Sequence, residues 1–424
     1  MPGHKGRELL GIEVLDITEI DGADVLYSAK GIIAESEENA RALFDSGKTL
    51  YSTEGSSLSI RAMLYLASLW GQSVGKDRTV FAGRNAHRVF HSAAALLDLD
   101  VEWIYGESGG LMRCDITPDG LDRALSESEK KPFAVYLTSP DYPGNMLDIA
   151  ALSAVCEKHG ALCLVDNAHG AYLKFLQSSR HPIDLGAHMS ADSAHKTLPA
   201  LTGAGYLHIA KSAPKMLFEQ AENAMALFAS TSPSYLILQS LDAVNKYLYN
   251  GYKERLSAFF GTLRDIKYAF ETNGYIFVGD EPLKLTVDAK AYGYFGTEIA
   301  EYLSERGIVC EHADRDVLVL MLTPEISSCE LSRLRDVLLS LERRSPIVES
   351  APSLYRGERV LSIREATLCV KERVAVKDAV GRVLADSAVS CPPAVPIAVC
   401  GERIEAATVA LFEYYGIDTV SVVK

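Results

Sequence analysis

Two residues able to do chemistry stand at telling places in the chain. Asp166 closes the apolar run ALCLVD, and Lys196 lies in SADSAHKTLPALTG between His195 and Thr197. A carboxylate at the end of an apolar strand is partly desolvated, and burial drives such a group towards its neutral form. It stays ionised only if a cation answers it. The protonated pyridine nitrogen of pyridoxal phosphate is one such cation, because that ring needs a carboxylate to remain an electron sink. A lone strand-end aspartate that caps a loop is the plain alternative. Lys196 has small neighbours and no acidic residue closer in sequence than Asp192. A lysine in that setting can have a depressed pKa and act as an amine nucleophile towards an aldehyde. Ser193 and Thr197 can offer hydroxyls to a phosphate, and His195 can hydrogen-bond the phosphate or a substrate. A surface lysine in a loop is the competing reading.

Two further segments carry candidates. In STEGSSLSIRAML, Gly55, Ser56 and Ser57 open a helical pattern, and a helix N-terminus with small hydroxylated residues suits an anion. An ordinary N-cap has the same appearance. The GxxxxGK[ST] pattern of a Walker A loop is missing. In AGRNAHRVFHSA, His87 falls between a strand and a helix. Its ring could stack on a flat heteroaromatic group; taken alone, it reads as an N-terminal helix residue bonded to the backbone.

The elements that must position these residues follow from periodicity. VFAG, VEWIYG, AVYLTSP, ALCLVD and GAGYLHIA read as strands. SLSIRAMLYLASLW, HRVFHSAAALLDL and DIAALSAVCEKHG read as helices, the last stopped by Gly160. Alternating helices and strands apolar on both faces predict a mostly parallel α/β sheet covered by helices. From about 213 to 270 the pattern is helical, with one long helix interrupted near Gly251. YIFVG, KLTVDA and VLVLMLTP then alternate with a helix at GTEIAEYLSERG, as in a small α+β domain, and RRSPIVESAPSLYRGE reads as a linker. The tail combines a helix at IREATL, a strand-like AVSCPPAVPIAVCGE, a helix at RIEAATVALFEYYG and a strand at TVSVV. The expected division is a large domain over 1–259 with its N-terminal segment, a small domain over 260–345 and a C-terminal domain over 346–424.

Composition narrows the class. The chain has 424 residues, 48% hydrophobic and 23% charged, which suits several packed domains rather than disorder. Its net charge of −14 disfavours nucleic acid and anionic membranes and tolerates a small cationic substrate. None of the eight cysteines forms a CxxC pair, and no Cys/His cluster has zinc spacing, so a reducing cytoplasm and no metal are expected. No stretch reads as a transmembrane helix, and MPGHKGRELLG lacks the apolar core of a signal peptide. The turn Pro2-Gly3-His4-Lys5-Gly6 follows Met1 directly, from which a missing N-terminal arm is expected.

Taken in order, MPGHKG, STEGSS, GRNAHR, LTSPDYPG, VDNAHGAY and SAHKTLPALTGAGYLHI resemble the ornithine/lysine/arginine decarboxylase family, enzymes of fold-type I that depend on pyridoxal phosphate. The resemblance runs from residue 2 to about residue 245 and returns at CPPAVPIAVCGE. The size is similar to that of the short bacterial form, which lacks an N-terminal wing domain. The resemblance implies that Lys196 forms the Schiff base and that Asp166 pairs with the pyridine nitrogen. It implies that His87 stacks on one ring face with Ala168 on the other, and that His169 lies beside the ring. Gly55, Ser56 and Ser57 would hold the phosphate with Ser193 and His195. Thr231, in the run Ser230-Thr231-Ser232, would reach a neighbouring subunit's phosphate across a homodimer or a higher homo-oligomer. Lys196 or His195 would return the proton after CO₂ leaves. Glu402 would face the distal cation of lysine, ornithine or arginine, and the product would be a polyamine-type amine. The tail departs from the family pattern, with Cys391 opening it, Ala394 in place of a glycine, and Cys400-Gly401 before Glu402. Another fold-type I reaction, transamination or a lyase step, and a catalytically impaired homologue remain the alternatives.

Overall fold

The computed structural model describes residues 1–107, 111–386 and 395–424. The chain divides into two compact units. The first comprises Met1–Phe81, Pro118–Ser139 and Asp148–Arg255, and the second Ala82–Thr117, Pro140–Leu147 and Leu256–Lys424. The strands of the first half of the chain are β1 (Lys48–Ser52), β2 (Thr79–Gly83), β3 (Asp100–Ile104), β4 (Ala134–Thr138), β5 (Leu162–Asp166), β6 (Met189–Asp192) and β7 (Gly205–Ile209). Its main helices are α1 (Ile32–Phe44), α2 (Gly55–Ser73), α3 (Arg88–Leu97), α4 (Pro118–Glu127), α5 (Ile149–Lys158) and the single turn α6 (Ala194–Thr197).

In the first unit five strands run in the order β1-β7-β6-β5-β4. β4, β5 and β6 are parallel neighbours, as the alternation of strands and helices predicts. β7 instead runs antiparallel to both β6 and β1. The link from β6 to β7 holds only the four-residue α6, too little to carry the chain back for a parallel return. The sheet is therefore mixed. Every residue of β5, β6 and β7 is buried, which matches strands covered on both faces. α2 packs across β6 and β7, and α5 against β5. Met63, Leu66, Leu164, Val165, Leu207 and Ile209 form part of that core.

The N-terminal segment has little regular structure. The Glu13 carboxylate accepts hydrogen bonds from the amides of Leu9, Leu10, Gly11 and Ile12 at 2.7–3.1 Å. The backbone wraps around this acid, and Leu9 and Leu10 are left more than four-fifths exposed. The helical stretch after residue 213 breaks as expected, into Tyr235–Tyr249 and Tyr252–Thr272, with Gly251 at φ +76° between them.

In the second unit β8 (Phe277–Val278), β9 (Lys284–Asp288), β10 (His312–Ala313) and β11 (Val317–Met321) form an antiparallel sheet in the order β10-β11-β9-β8. β12 (Lys371–Ala375) pairs with β13 (Thr419–Val423). Leu384, Ile397, Ile404, Phe412 and Val422 belong to a buried cluster there. The strand-like reading of AVSCPPAVPIAVCGE does not hold for its described part. Val395–Glu402 forms no strand, because the Arg84 guanidinium holds the Pro396 and Ile397 carbonyls at 2.8 and 3.0 Å and the chain turns at Gly401 (φ +96°). Cys391 and Ala394 lie outside the described residues. Among the described residues no helix is long and apolar enough to cross a membrane.

Candidate active site

Asp166 is the last residue of β5 and is 3% exposed. Its Oδ2 accepts a hydrogen bond from the Tyr136 hydroxyl at 3.0 Å, and its Oδ1 accepts from the Ala168 amide at 3.2 Å. Burial pushes the Asp166 carboxyl above the ordinary carboxylate range, against the opposing pull of the Tyr136 hydroxyl and the Lys196 charge. Tyr136 comes from the neighbouring strand β4, where Thr138 stands opposite Asp166 and Tyr136 opposite Leu164. Two residues along a strand share a face, so the Tyr136 ring is a diagonal neighbour of the carboxylate.

Lys196 sits on α6, its Nζ 2.7 Å from His169 Nε2. His169 is buried and lies in the loop that leaves β5. His195 directs Nδ1 at the Ala204 carbonyl, 2.8 Å away, so that nitrogen carries the proton. Burial lowers the His195 pKa and favours the neutral ring. The start of α2 approaches the same turn. Gly55 takes φ +66°, and a Cβ built there would lie 3.6 Å from His195 Cε1. Ser193 donates its hydroxyl to Ser56 Oγ at 2.9 Å. Gly205 on β7 lets this approach happen, since a Cβ there would meet the Gly55 carbonyl carbon at 2.8 Å. Ser57 follows in the first turn of α2.

The expected site residues Gly55, Ser56, Ser57, Asp166, Ala168, His169, Ser193, His195 and Lys196 thus all lie in the first unit, at the ends of β5, β6 and α2. Thr231 is exposed in the same unit. Beside it, the Ser230 amide donates to Glu54 Oε1 at 2.7 Å, which ties the hydroxyl run to the residue that precedes Gly55 in its own chain. His87 belongs to the second unit and caps α3, its Nδ1 accepting from the Val89 amide at 3.2 Å. Glu402 also belongs to the second unit and is 6% exposed. Its Oε2 accepts from the Val399 amide at 2.9 Å; burial raises its pKa and the Arg84 charge opposes that.

Sequence reasoning missed two features. Tyr136 is one, since a tyrosine inside AVYLT counts as another apolar residue until the strand register is known. The other is a wholly buried cluster behind the lysine turn. Asp192 Oδ2 accepts from His181 Nε2 at 2.9 Å and lies 3.7 Å from His208 Nε2. Ile183 donates its amide to His181 Nδ1 at 3.4 Å, so the proton of this ring is on Nε2, where it points at the carboxylate. Thr49 Oγ1 lies 2.8 Å from His208 Nδ1. Burial works to raise the Asp192 carboxyl, but the two imidazoles outweigh it and hold the group below its ordinary value.

A buried carboxylate, a primary amine and a pair of touching hydroxyls at the N-terminus of a 19-residue helix match the three poles of pyridoxal phosphate: its ring nitrogen, its aldehyde and its phosphate. The residues present therefore fit this group.

The comparisons with known proteins identify the family. A family model described as Orn/Lys/Arg decarboxylase, major domain, matches residues 4–278, and one described as Orn/Lys/Arg decarboxylase, C-terminal domain, matches residues 363–418. The chain is 27% identical to an uncharacterized protein of Bacillus subtilis, over 95% of this chain and 88% of that protein. It is 26% identical to an arginine decarboxylase of Halalkalibacterium halodurans, over 97% of this chain and 88% of the other. The fold is similar to that of a Francisella novicida lysine decarboxylase, with a TM-score of 0.76 at 16% identity, covering 100% of this chain and 78% of that one. The chain belongs to the Orn/Lys/Arg decarboxylase family, α/β enzymes of fold-type I that are pyridoxal-phosphate-dependent carboxy-lyases.

Proposed function

We propose that the chain removes CO₂ from a basic amino acid, lysine, ornithine or arginine, and releases the corresponding polyamine-type amine. The single observation that carries this reading is the convergence of Asp166, Lys196 and the Ser56–Ser193 hydroxyl pair in one unit. When bound, pyridoxal phosphate supplies the electron sink for the carbanion left by CO₂. Asp166 holds the proton on the ring nitrogen. Lys196 would hold the aldehyde through its amine. Gly55, Ser56, Ser57, Ser193 and His195 hold the phosphate, with Thr231 reaching it from a neighbouring copy. Ala168 and His87 would pack on the ring faces, and His169 Nε2 lies 2.7 Å from the Lys196 amine, where it would steady it. Decarboxylation would need the substrate oriented so that its Cα–carboxylate bond overlaps the ring's π system, an orientation effect worth several orders of magnitude in rate. Lys196 or His195 returns a proton to Cα. Glu402 answers the distal cation. The protein is proposed to act in the cytoplasm as a homodimer or higher homo-oligomer, with the domain division 1–259, 260–345 and 346–424. Relatives named for arginine and structures named for lysine support the substrate class and leave the head group open.

The test is the visible absorbance of the purified protein with pyridoxal phosphate, wild type beside Lys196→Ala, followed by CO₂ detection with each of the three amino acids. The expected outcome is a yellow, borohydride-reducible adduct, lost in Lys196→Ala, with CO₂ from one substrate and no keto acid. An adduct that gives keto acid and no CO₂ moves the reaction to transamination. No adduct in wild type overturns the reading.

A further inference from the structure

We propose that Tyr136 is a positioning residue that favours the ionised form of Asp166 and aims its carboxylate, through the hydrogen bond its hydroxyl donates to Oδ2. The inference rests on the reading that Asp166 faces the cofactor's ring nitrogen. Tyr136 is itself 0% exposed. A phenol buried without a partner costs free energy that phenylalanine would avoid, so a tyrosine inside this strand is accounted for by the bond it makes. That bond goes to a side-chain carboxylate at 3.0 Å and not to the backbone. Among the described residues the hydroxyl is the one side-chain hydrogen-bond donor to Asp166; the Ala168 amide takes the other oxygen.

The groups that act on Asp166 come from each packed element. Tyr136 reaches it from β4 and the Ala168 amide from the loop after β5. The Lys196 charge acts from α6, and the Asp192 carboxylate acts from β6 with the same sign as Asp166 itself. Burial and Asp192 both favour the protonated acid. A neutral Asp166 could not hold a proton on the ring nitrogen. The Tyr136 hydroxyl stays protonated, since burial drives its pKa well above the usual phenol value, and so it remains a donor. It also fixes the rotation of the carboxylate, because one oxygen is bound on each side.

The experiment is a double-mutant cycle on cofactor binding with Tyr136→Phe, Asp166→Asn and both together. The dissociation constant for pyridoxal phosphate is read by absorbance titration from pH 5 to pH 9, with thermal melting as a check that each variant is folded. A hydrogen bond to a charged group supports a loss on the order of ten- to a hundred-fold in affinity for Tyr136→Phe. The acid limb of the binding profile should move to higher pH. In the Asp166→Asn background the Tyr136→Phe change should have little further effect. Wild-type affinity and an unmoved acid limb in Tyr136→Phe overturn the proposal, as does a loss of equal size in the Asp166→Asn background, which would mean a packing role only. If Asp166→Asn alone binds as wild type, the reading of Asp166 falls first. If it binds weakly while Tyr136→Phe binds as wild type, only the role of Tyr136 falls.

Discussion

Asp166 and Asp192 are both buried carboxylates, and their surroundings treat them differently. Asp166 receives one hydroxyl and one amide, and remains pushed towards the neutral acid. Asp192 receives an imidazole N–H at 2.9 Å, with a second imidazole close by, and is held ionised. The first carboxylate is the one proposed to meet the cofactor's ring nitrogen; the second is paired within the fold. His181→Ala would leave Asp192 buried without its closest partner. The expected cost is about 3–5 kcal/mol, read as a lower urea midpoint, since breaking a buried pair leaves an uncompensated charge. The sign with pH follows from the depressed pKa. The stability that Asp192 contributes is present above the ordinary aspartate value of 3.8 and is lost as pH falls through its folded value. His181→Ala should therefore be less destabilising in acid than at neutral pH. The His181–Asp192–His208 cluster was not legible in the sequence, because its members lie on separate segments and only the fold of β6 and β7 brings them together. Asp166 and Lys196 were legible, because a charged residue that interrupts an apolar or small-residue run stands out without any structure.

At the scale of elements, the site depends on how closely the start of α2 passes β7. Gly205→Ala would place a Cβ 2.8 Å from the Gly55 carbonyl carbon and 3.0 Å from the Asp192 carbonyl oxygen, both backbone atoms that cannot step aside. Overpacking of this kind costs about 1–3 kcal/mol. The variant should melt earlier and bind pyridoxal phosphate more weakly, while Gly261→Ala, in a helix with nothing within 4 Å, should keep wild-type cofactor affinity. α1 offers a pH-dependent test. Burial raises Glu37 to about 8, with Glu222 adding to the effect and the Tyr51 amide and Lys48 opposing it. An acid raised in the folded state contributes stability below the unfolded value of 4.5 and loses it as pH climbs to about 8. Glu37→Gln should flatten that fall, with a gain at pH 8 of about 1 kcal/mol because the side chain is only half-buried. Most elements were readable from periodicity. The direction of β7 was not, since alternation of apolar residues says which faces are covered and nothing about which way the strand runs. β6, as MSAD, is too short and too polar at its end to announce itself.

For the whole molecule, the N-terminal segment presents Leu9, Leu10, Val14, Leu15 and Ile20 with more than half of each side chain exposed. Large apolar side chains in such number mark a surface that meets another one. The proposed homodimer gives them a partner. Leu9→Glu combined with Leu10→Glu should shift sedimentation from dimer towards monomer at low micromolar concentration, with the folded unit intact by circular dichroism; an unchanged sedimentation coefficient would place the dimer contact elsewhere. The motif of the tail that departs from the family, from Cys391 to Ala394, lies outside the described residues, and the strand expected there is replaced in its described part by turns tied to Arg84. A run of apolar residues and prolines does not by itself distinguish a strand from a bound loop.

The tie between Glu54 and the Ser230 amide has a consequence for ionic strength. Glu54 stands immediately before the glycine and hydroxyls proposed to hold a phosphate dianion, so that site carries a like charge in its own rim. The glycine, the hydroxyls and the neutral His195 ring proposed to hold the phosphate carry no formal charge, so salt has little attraction to weaken there. Added salt does screen the repulsion from the exposed Glu54 carboxylate, within a Debye length of about 8–10 Å. Affinity for the phosphorylated cofactor should accordingly rise with salt in the wild type, and depend on salt less once Glu54 is replaced by glutamine.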